Sequence, residues 1–109
     1  MSRGLVIHGA SGHARVVADI VLARGDYSIA GFLDDLSPER WGTAFAGGTV
    51  LGGSGVLPEL VGAGVKHALV AIGDCGARLR LAARARSLGL ELATAVHPRT
   101  SPAKPNPAS

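Results

Sequence analysis

The chain has 109 residues, 47% of them hydrophobic, 17% charged and 16 of them glycine, about twice the usual ~7% share of glycine. That length carries one compact core, and the lack of a G-X-Y period or of any apolar run near ~20 residues excludes collagen-like and helical membrane-spanning chains. The net charge of +3 comes from 11 Lys and Arg against 8 Asp and Glu, nine of the cations being arginine, a modest positive field that suits a phosphorylated ligand as well as nucleic acid.

Only Tyr27, Phe32, Trp41 and Phe45 are aromatic. The core must therefore be Val, Leu, Ile and Ala, the filling of parallel strands buried under helices. Leu5-Val6-Ile7 gives way to His8 too soon to form the apolar centre of a signal peptide, so a cytoplasmic location is expected. Cys75 is the only cysteine, which leaves no internal disulfide and no cysteine-based zinc site.

Along the chain, Leu5-Val6-Ile7 reads as a buried strand. It ends in His8-Gly9-Ala10-Ser11-Gly12, and helical spacing follows at Val16, Val17, Ile20 and Val21 up to a stop at Gly25. Residues 27–33 return as a strand that ends at the paired acids Asp34 and Asp35, completing a βαβ unit. Residues 36–55, with Pro38 and a cluster of glycines, read as an irregular loop with a short piece of strand near Val50. Ser54 is placed to cap a helix through Leu57, Glu59, Leu60 and Val61, with Pro58 tolerable in its first turn. A third strand, Ala68-Leu69-Val70-Ala71-Ile72, closes on Gly73-Asp74. Ala77, Leu81, Ala85 and Leu88 then mark the buried face of an arginine-rich helix that stops at Gly89. Residues 90–96 read as a fourth strand, and residues 99–109 as a proline-rich tail or linker after a single domain over 1–98. Strands alternating with helices imply a Rossmann-like three-layer α/β fold of about four parallel strands in the order 2-1-3-4.

Two strand-to-helix turns carry the chemistry. Gly9-Ala10-Ser11-Gly12-His13-Ala14 opens the first helix, where free backbone N–H groups and the positive helix end suit phosphate. It is G-x-x-G-x-A rather than the full dinucleotide pattern, and the plain alternative is a tight turn and no more. Asp34 stands 22 residues beyond Gly12, near the ~20 at which dinucleotide folds place an acid on a ribose, whereas Asp35 either joins it or faces water. Gly73-Asp74-Cys75-Gly76 repeats the turn grammar at the third strand, and Arg78 is placed to reach a phosphate bidentately. In the order 2-1-3-4 both turns flank one crevice.

His13, at a helix N-terminus, either donates to a substrate as a neutral ring or serves the cap. His8, His67 and His97 lack metal-ligand spacing and read as core or surface residues; no metal is expected. Cys75 reads as an inert small residue. Neither Ser11 nor Ser54 is followed by the last glycine of a nucleophile elbow. Arg80, Arg84 and Arg86 read as a solvated face, since no stacking aromatics or nucleic-acid motif accompany them.

Five stretches together resemble the N-terminal domain of the NeuD/PglD-type sugar acyltransferases, whose members acetylate sialic acid or UDP-linked amino sugars. They are residues 5–14, Gly31-Phe32-Leu33-Asp34-Asp35, Val50-Leu51-Gly52-Gly53, Ala71-Ile72-Gly73-Asp74 with Arg78, and Val96-His97-Pro98, in family order. The resemblance implies a domain that holds the acceptor nucleotide sugar: Gly9, Ser11, Gly12 and His13 near its phosphates, Asp34 and Asp35 near the uridine, and Ile72, Gly73 and Asp74 against the nucleoside or sugar. It also implies a second, left-handed β-helix domain that binds acetyl-CoA, forms the trimer and supplies the catalytic histidine. No hexapeptide repeat follows Pro98 in this sequence. The chain as it stands is therefore expected to bind a nucleotide sugar, to carry no catalytic residue, no cofactor and no trimer contacts, and to contact neither nucleic acid nor membrane. A separate β-helix chain is one conceivable partner. The competing class is a small NAD(P)-binding redox or sensor domain with Asp34 on the adenosine ribose; a remnant that binds nothing is a third.

Overall fold

The computed structural model describes residues 3–93. Val96-His97-Pro98, the end of the expected fourth strand and residues 99–109 lie outside them. The elements are β1 (Arg3–His8), α1 (Gly12–Arg24), β2 (Tyr27–Leu33), β3 (Ala44–Phe45), β4 (Gly48–Gly52), α2 (Leu57–Gly62), β5 (His67–Val70), α3 (Cys75–Ser87) and β6 (Glu91–Leu92), with single 3₁₀ turns at Pro38–Arg40 and Ser54–Val56. They build one sheet in the order β3-β4-β2-β1-β5-β6. Every neighbouring pair is parallel except β3 with β4. The expected order 2-1-3-4 is the run β2-β1-β5-β6, and two further strands extend the sheet beyond β2. No helix among the described residues is long and apolar enough to cross a membrane.

Period-two alternation sorts the side chains into two cores. Leu5, Ile7, Phe32, Val50 and Leu69 pack with α1 on one face, while Val6, Leu33 and Ala68 pack with Leu57 of α2, Ala85 of α3 and Leu90 on the other. Leu5, Val6 and Ile7 are all fully buried because β1 is central and covered on both sides. Each such side chain contributes roughly 1.5–3 kcal/mol by leaving water.

The buried stripe of α1 is Ala14, Val17, Ala18 and Val21, turned from the expected one, so that Val16 is 57% exposed and Ile20 only half-buried. The cause is the pair of alanines one turn apart, which lets the helix backbone approach the sheet where larger residues would hold it off. Gly25 ends α1 in the left-handed conformation, its N–H bonded to the Val21 carbonyl. Ser54 does not cap α2. It opens the 3₁₀ turn that leads into the helix, with no side-chain cap bond. Of the expected stripe on α3, Ala85 is buried, whereas Ala77, Leu81 and Leu88 are half-buried.

The glycine-rich stretch is a hairpin rather than an irregular loop. Phe45 pairs with Gly48 across the two residues Ala46 (φ 48°) and Gly47 (φ 84°), the paired positive-φ pattern that matches strand twist. Gly42 N–H bonds the Val50 carbonyl and fixes the hairpin's base.

One glycine decides how close the central strands come. Gly9 has φ +140°, and a Cβ there would stand 2.6 Å from the Ala71 carbonyl oxygen, whereas a Cβ at Gly12 would meet nothing within 4 Å. Gly9→Ala is expected to cost more than about 2 kcal/mol, through strained backbone and a forced separation of β1 from β5. Gly12→Ala is expected to stay within about 1 kcal/mol of the parent, on the stabilising side. Urea midpoints of the two variants measure both.

Candidate functional site

β1, β2 and β5 all end at one edge of the sheet, and beyond their last residues lies a cleft of about 790 Å³. Its position follows from connectivity: the chain leaves β1 for α1 on one face and β5 for α3 on the other, so a crevice opens where the strand order reverses. Gly9, Ala10 and Ser11 form its floor on the α1 side. Leu33 to Ser37 with Arg40 make one wall, and Ala71 to Asp74 with Ala77, Arg80 and Leu81 the other. Backbone bonds knit these pieces together: Gly9 N–H donates to the Leu33 carbonyl (2.7 Å), Ala71 N–H to His8 (2.9 Å) and Asp34 N–H to Gly52 (2.8 Å).

The two helix starts at this edge differ. Asp74 caps α3, its carboxylate accepting from Ala77 N–H at 2.8 Å. Ser11 stands at the cap position of α1, but its hydroxyl makes no capping bond and no acid lies in the first turn. Among the described residues, the positive end of α1 is thus left without a capping side chain beside the cleft floor.

The adjacent acids take separate tasks. Asp34 is buried; its Oδ1 accepts from Leu36 N–H (2.9 Å) and Ser37 N–H (3.2 Å), and its Oδ2 lies 3.6 Å from Arg40. Trp41 Nε1–H closes the turn onto the Asp34 carbonyl at 2.8 Å. Asp35 turns toward the sheet, accepting from Ser54 N–H at 2.6 Å and pairing through Oδ2 with His8 Nε2 at 2.8 Å. Burial pushes the Asp35 carboxyl up, but the Ser54 N–H bond and the hydrogen bond and charge of His8 outweigh it, so it titrates below the ordinary value of 3.8.

Of the residues singled out in the sequence, Gly9, Ser11, Asp34, Asp35, Ile72, Gly73 and Asp74 line the cleft. Gly12 and His13 sit exposed on the first turn of α1, just beyond the lining, and His13 makes no side-chain hydrogen bond within the described residues. Arg78 points its Nη2 to Cys75 Sγ at 3.4 Å and is not part of the wall; Arg80 is. The signal for Arg80 was present, since it lies three residues after Ala77 and one before Leu81 on the same helical face. Arg40 and His8 gave none: Arg40 follows Asp34 at no motif spacing, and His8 reads as a core or surface residue.

The PglD N-terminal domain matches residues 4–85. The chain belongs to this family. No curated protein matches it by sequence. Among solved structures, a perosamine N-acetyltransferase variant from Caulobacter crescentus, in complex with CoA and GDP-perosamine, is 39% identical with a TM-score of 0.78, covering 87% of this chain and 43% of its own. The acetyltransferase domain of PglB from Neisseria gonorrhoeae, in complex with acetyl coenzyme A, is 33% identical with a TM-score of 0.74, covering 90% and 45%. This PglD N-terminal domain thus spans less than half the length of those acetyltransferases. The UDP-D-quinovosamine 4-dehydrogenase of Vibrio fischeri, 17% identical with a TM-score of 0.69 over 84% of this chain and 76% of its own, shares the fold alone.

Because the Asp35 carboxyl titrates lower in the folded domain than in the unfolded chain, its contribution is present above the unfolded value near 3.8 and is lost as pH falls through the folded value. Asp35→Asn is expected to lower the melting temperature at pH 7, and the gap to the parent is expected to close as pH falls below 3.8. Melting curves of both proteins as the pH is lowered, with pH points spaced about half a unit apart, follow the closure.

Proposed function

We propose that this domain binds a nucleotide-linked sugar as the acceptor of an acetyl-transfer reaction. The observation that carries this is the uncapped start of α1 at the floor of a cleft whose next wall ends in Asp34. Free N–H groups and the helix dipole there suit a diphosphate, and Asp34 Oδ2 beside it suits a ribose or base donor. The CoA and GDP-perosamine complex of the perosamine N-acetyltransferase supports a sugar nucleotide as the ligand class. We assign the acceptor, not the acetyl donor, to these residues.

In this reading Gly9, Ser11 and Gly12 approach the phosphates, with His13 at their edge. Ile72, Gly73 and Asp74 lie against the nucleoside or sugar, and Asp35 keeps its neighbour in place. Arg80, on the wall, takes the role that spacing had offered to Arg78. A Cβ at Gly12 or Gly73 would meet nothing within 4 Å and neither has a left-handed φ, so a substitution there probes the site without straining the fold.

Calorimetric titration with GDP-mannose and UDP-N-acetylglucosamine tests the proposal, with NAD as the competing ligand. A saturable heat is expected for at least one sugar nucleotide and none for NAD. At 100 times its dissociation constant the ligand adds about 2.7 kcal/mol to stability. Gly73→Val is expected to fold normally and to weaken binding about tenfold or more, a loss of ~1.4 kcal/mol. Flat titrations with both sugar nucleotides, or a saturable response to NAD alone, overturn it.

A further inference from the structure

Arg40 crosses from the β2–β3 connection to the glycine turn. Its Nη1 donates to the Ala10 carbonyl and stands 3.6 Å from Asp34 Oδ2, and its guanidinium lies over the Phe45 ring, 5.2 Å from the centroid. Phe45 is itself buried and meets Phe32 edge to face, so the surface beneath the cation is fixed. Both polar contacts use Nη1. The remaining donors make none of the hydrogen bonds within the described residues, and Arg40 lines the cleft with its side chain 37% exposed.

This arrangement answers a difficulty in the site. Asp34 is 11% exposed at its side chain, so its charge is poorly screened by water, and a diphosphate held at the start of α1 would meet that charge from close by. A carboxylate alone would favour an uncharged nucleoside over its phosphorylated forms. A guanidinium fixed beside it reverses the preference, because it cancels the carboxylate and offers its free donors to phosphate oxygens.

We propose, on the footing of the sugar-nucleotide reading above, that Arg40 is the residue that makes this site select phosphorylated ligands, by neutralising Asp34 and facing the diphosphate. A strap that only tied the loop to the glycine turn would affect nucleoside and nucleotide alike. A charge partner affects the nucleotide alone.

Three variants of the full 109-residue chain separate these roles. Arg40→Gln removes the charge and, with its amide two bonds short of Nη1, the bond to the Ala10 carbonyl as well. Arg40→Lys keeps the charge, and Arg40→Gln with Asp34→Asn removes both charges while the asparagine oxygen still accepts from Leu36 and Ser37. Dissociation constants are measured for GDP and UDP by calorimetry, and for guanosine and uridine by NMR shift titration. Arg40→Gln is expected to weaken the nucleotide about tenfold or more and the nucleoside by less than about twofold. Arg40→Lys is expected to keep the ratio of the two constants within about threefold of the parent's, and the double variant to recover part of the nucleotide affinity lost in Arg40→Gln. Equal losses for nucleoside and nucleotide in Arg40→Gln, no recovery in the double variant, or a collapsed ratio in Arg40→Lys overturns the proposal. Where Arg40→Gln fails to fold, the double variant decides the matter: its ratio is expected to shift against the nucleotide, and a ratio equal to the parent's overturns the proposal. A parent chain that binds neither nucleotide overturns the sugar-nucleotide reading and this proposal together, whereas a parent that binds and an Arg40→Gln that binds equally well overturns this one alone.

Discussion

The close approach of Gly9 to the Ala71 carbonyl is the constraint on which the rest of the cleft depends. Only a residue without a Cβ fits there, and the fit lets β1 and β5 run together to their last residues, with Ala71 N–H bonded to His8. Gly9 N–H then reaches the Leu33 carbonyl on the other side, so the same residue fixes the end of β2. Three strands finish level, and the chain must leave them in opposite directions. The crevice is the geometric remainder of that departure, and the start of α1 lies at its floor because the turn at Gly9 is too short to carry it elsewhere.

The framework was legible in the sequence where a local rule has a single outcome. Leu5-Val6-Ile7 is apolar at every position, which only a strand covered on both faces tolerates, and the stops at Gly25 and Gly89 follow helices as they must. The hairpin was not legible, because its turn is Ala46-Gly47. Alanine at a positive φ carries no turn signal, and the contact of Phe45 with Phe32 beside the turn joins residues far apart in sequence. The buried stripe of α1 was misplaced for a related reason: periodicity weighs Val16 above Ala14, whereas the packing selects the smaller residue. Most of the glycines and acids of the cleft were found because they lie on strand ends, which topology brings together. Arg40 enters from a loop whose path only the folded hairpin fixes.

Adjacent residues of one type need not share a task. Asp34 and Asp35 are consecutive at the end of β2, so the pleat sends their side chains apart. Asp34 lies along the cleft wall and organises the turn through Leu36 and Ser37, while Asp35 reaches across to His8 at the end of β1 and to Ser54 before α2. Asp35 therefore ties the ends of β1 and β2 to the turn before α2. The two acids thus hold separate pieces of structure side by side, the turn after β2 by Asp34 and the end of β1 by Asp35.

The charge pattern of the cleft follows from the same local bonding. Three carboxylates, Asp34, Asp35 and Asp74, line a space that we assign to a polyanion, an arrangement that is repulsive if the charges are simply counted. Each, however, is answered within the fold: Asp74 by the N–H of Ala77, Asp35 by His8 and Ser54, and Asp34 by two backbone N–H groups and Arg40. What is left unanswered among the described residues is positive, namely the first turn of α1 and the free side of the Arg40 guanidinium, with Arg80 on the facing wall. A formal count of acids and bases thus misjudges the site, because hydrogen bonds and ion pairs within the wall already engage the acids. The potential that an incoming anion meets is set by the donors that the fold leaves over.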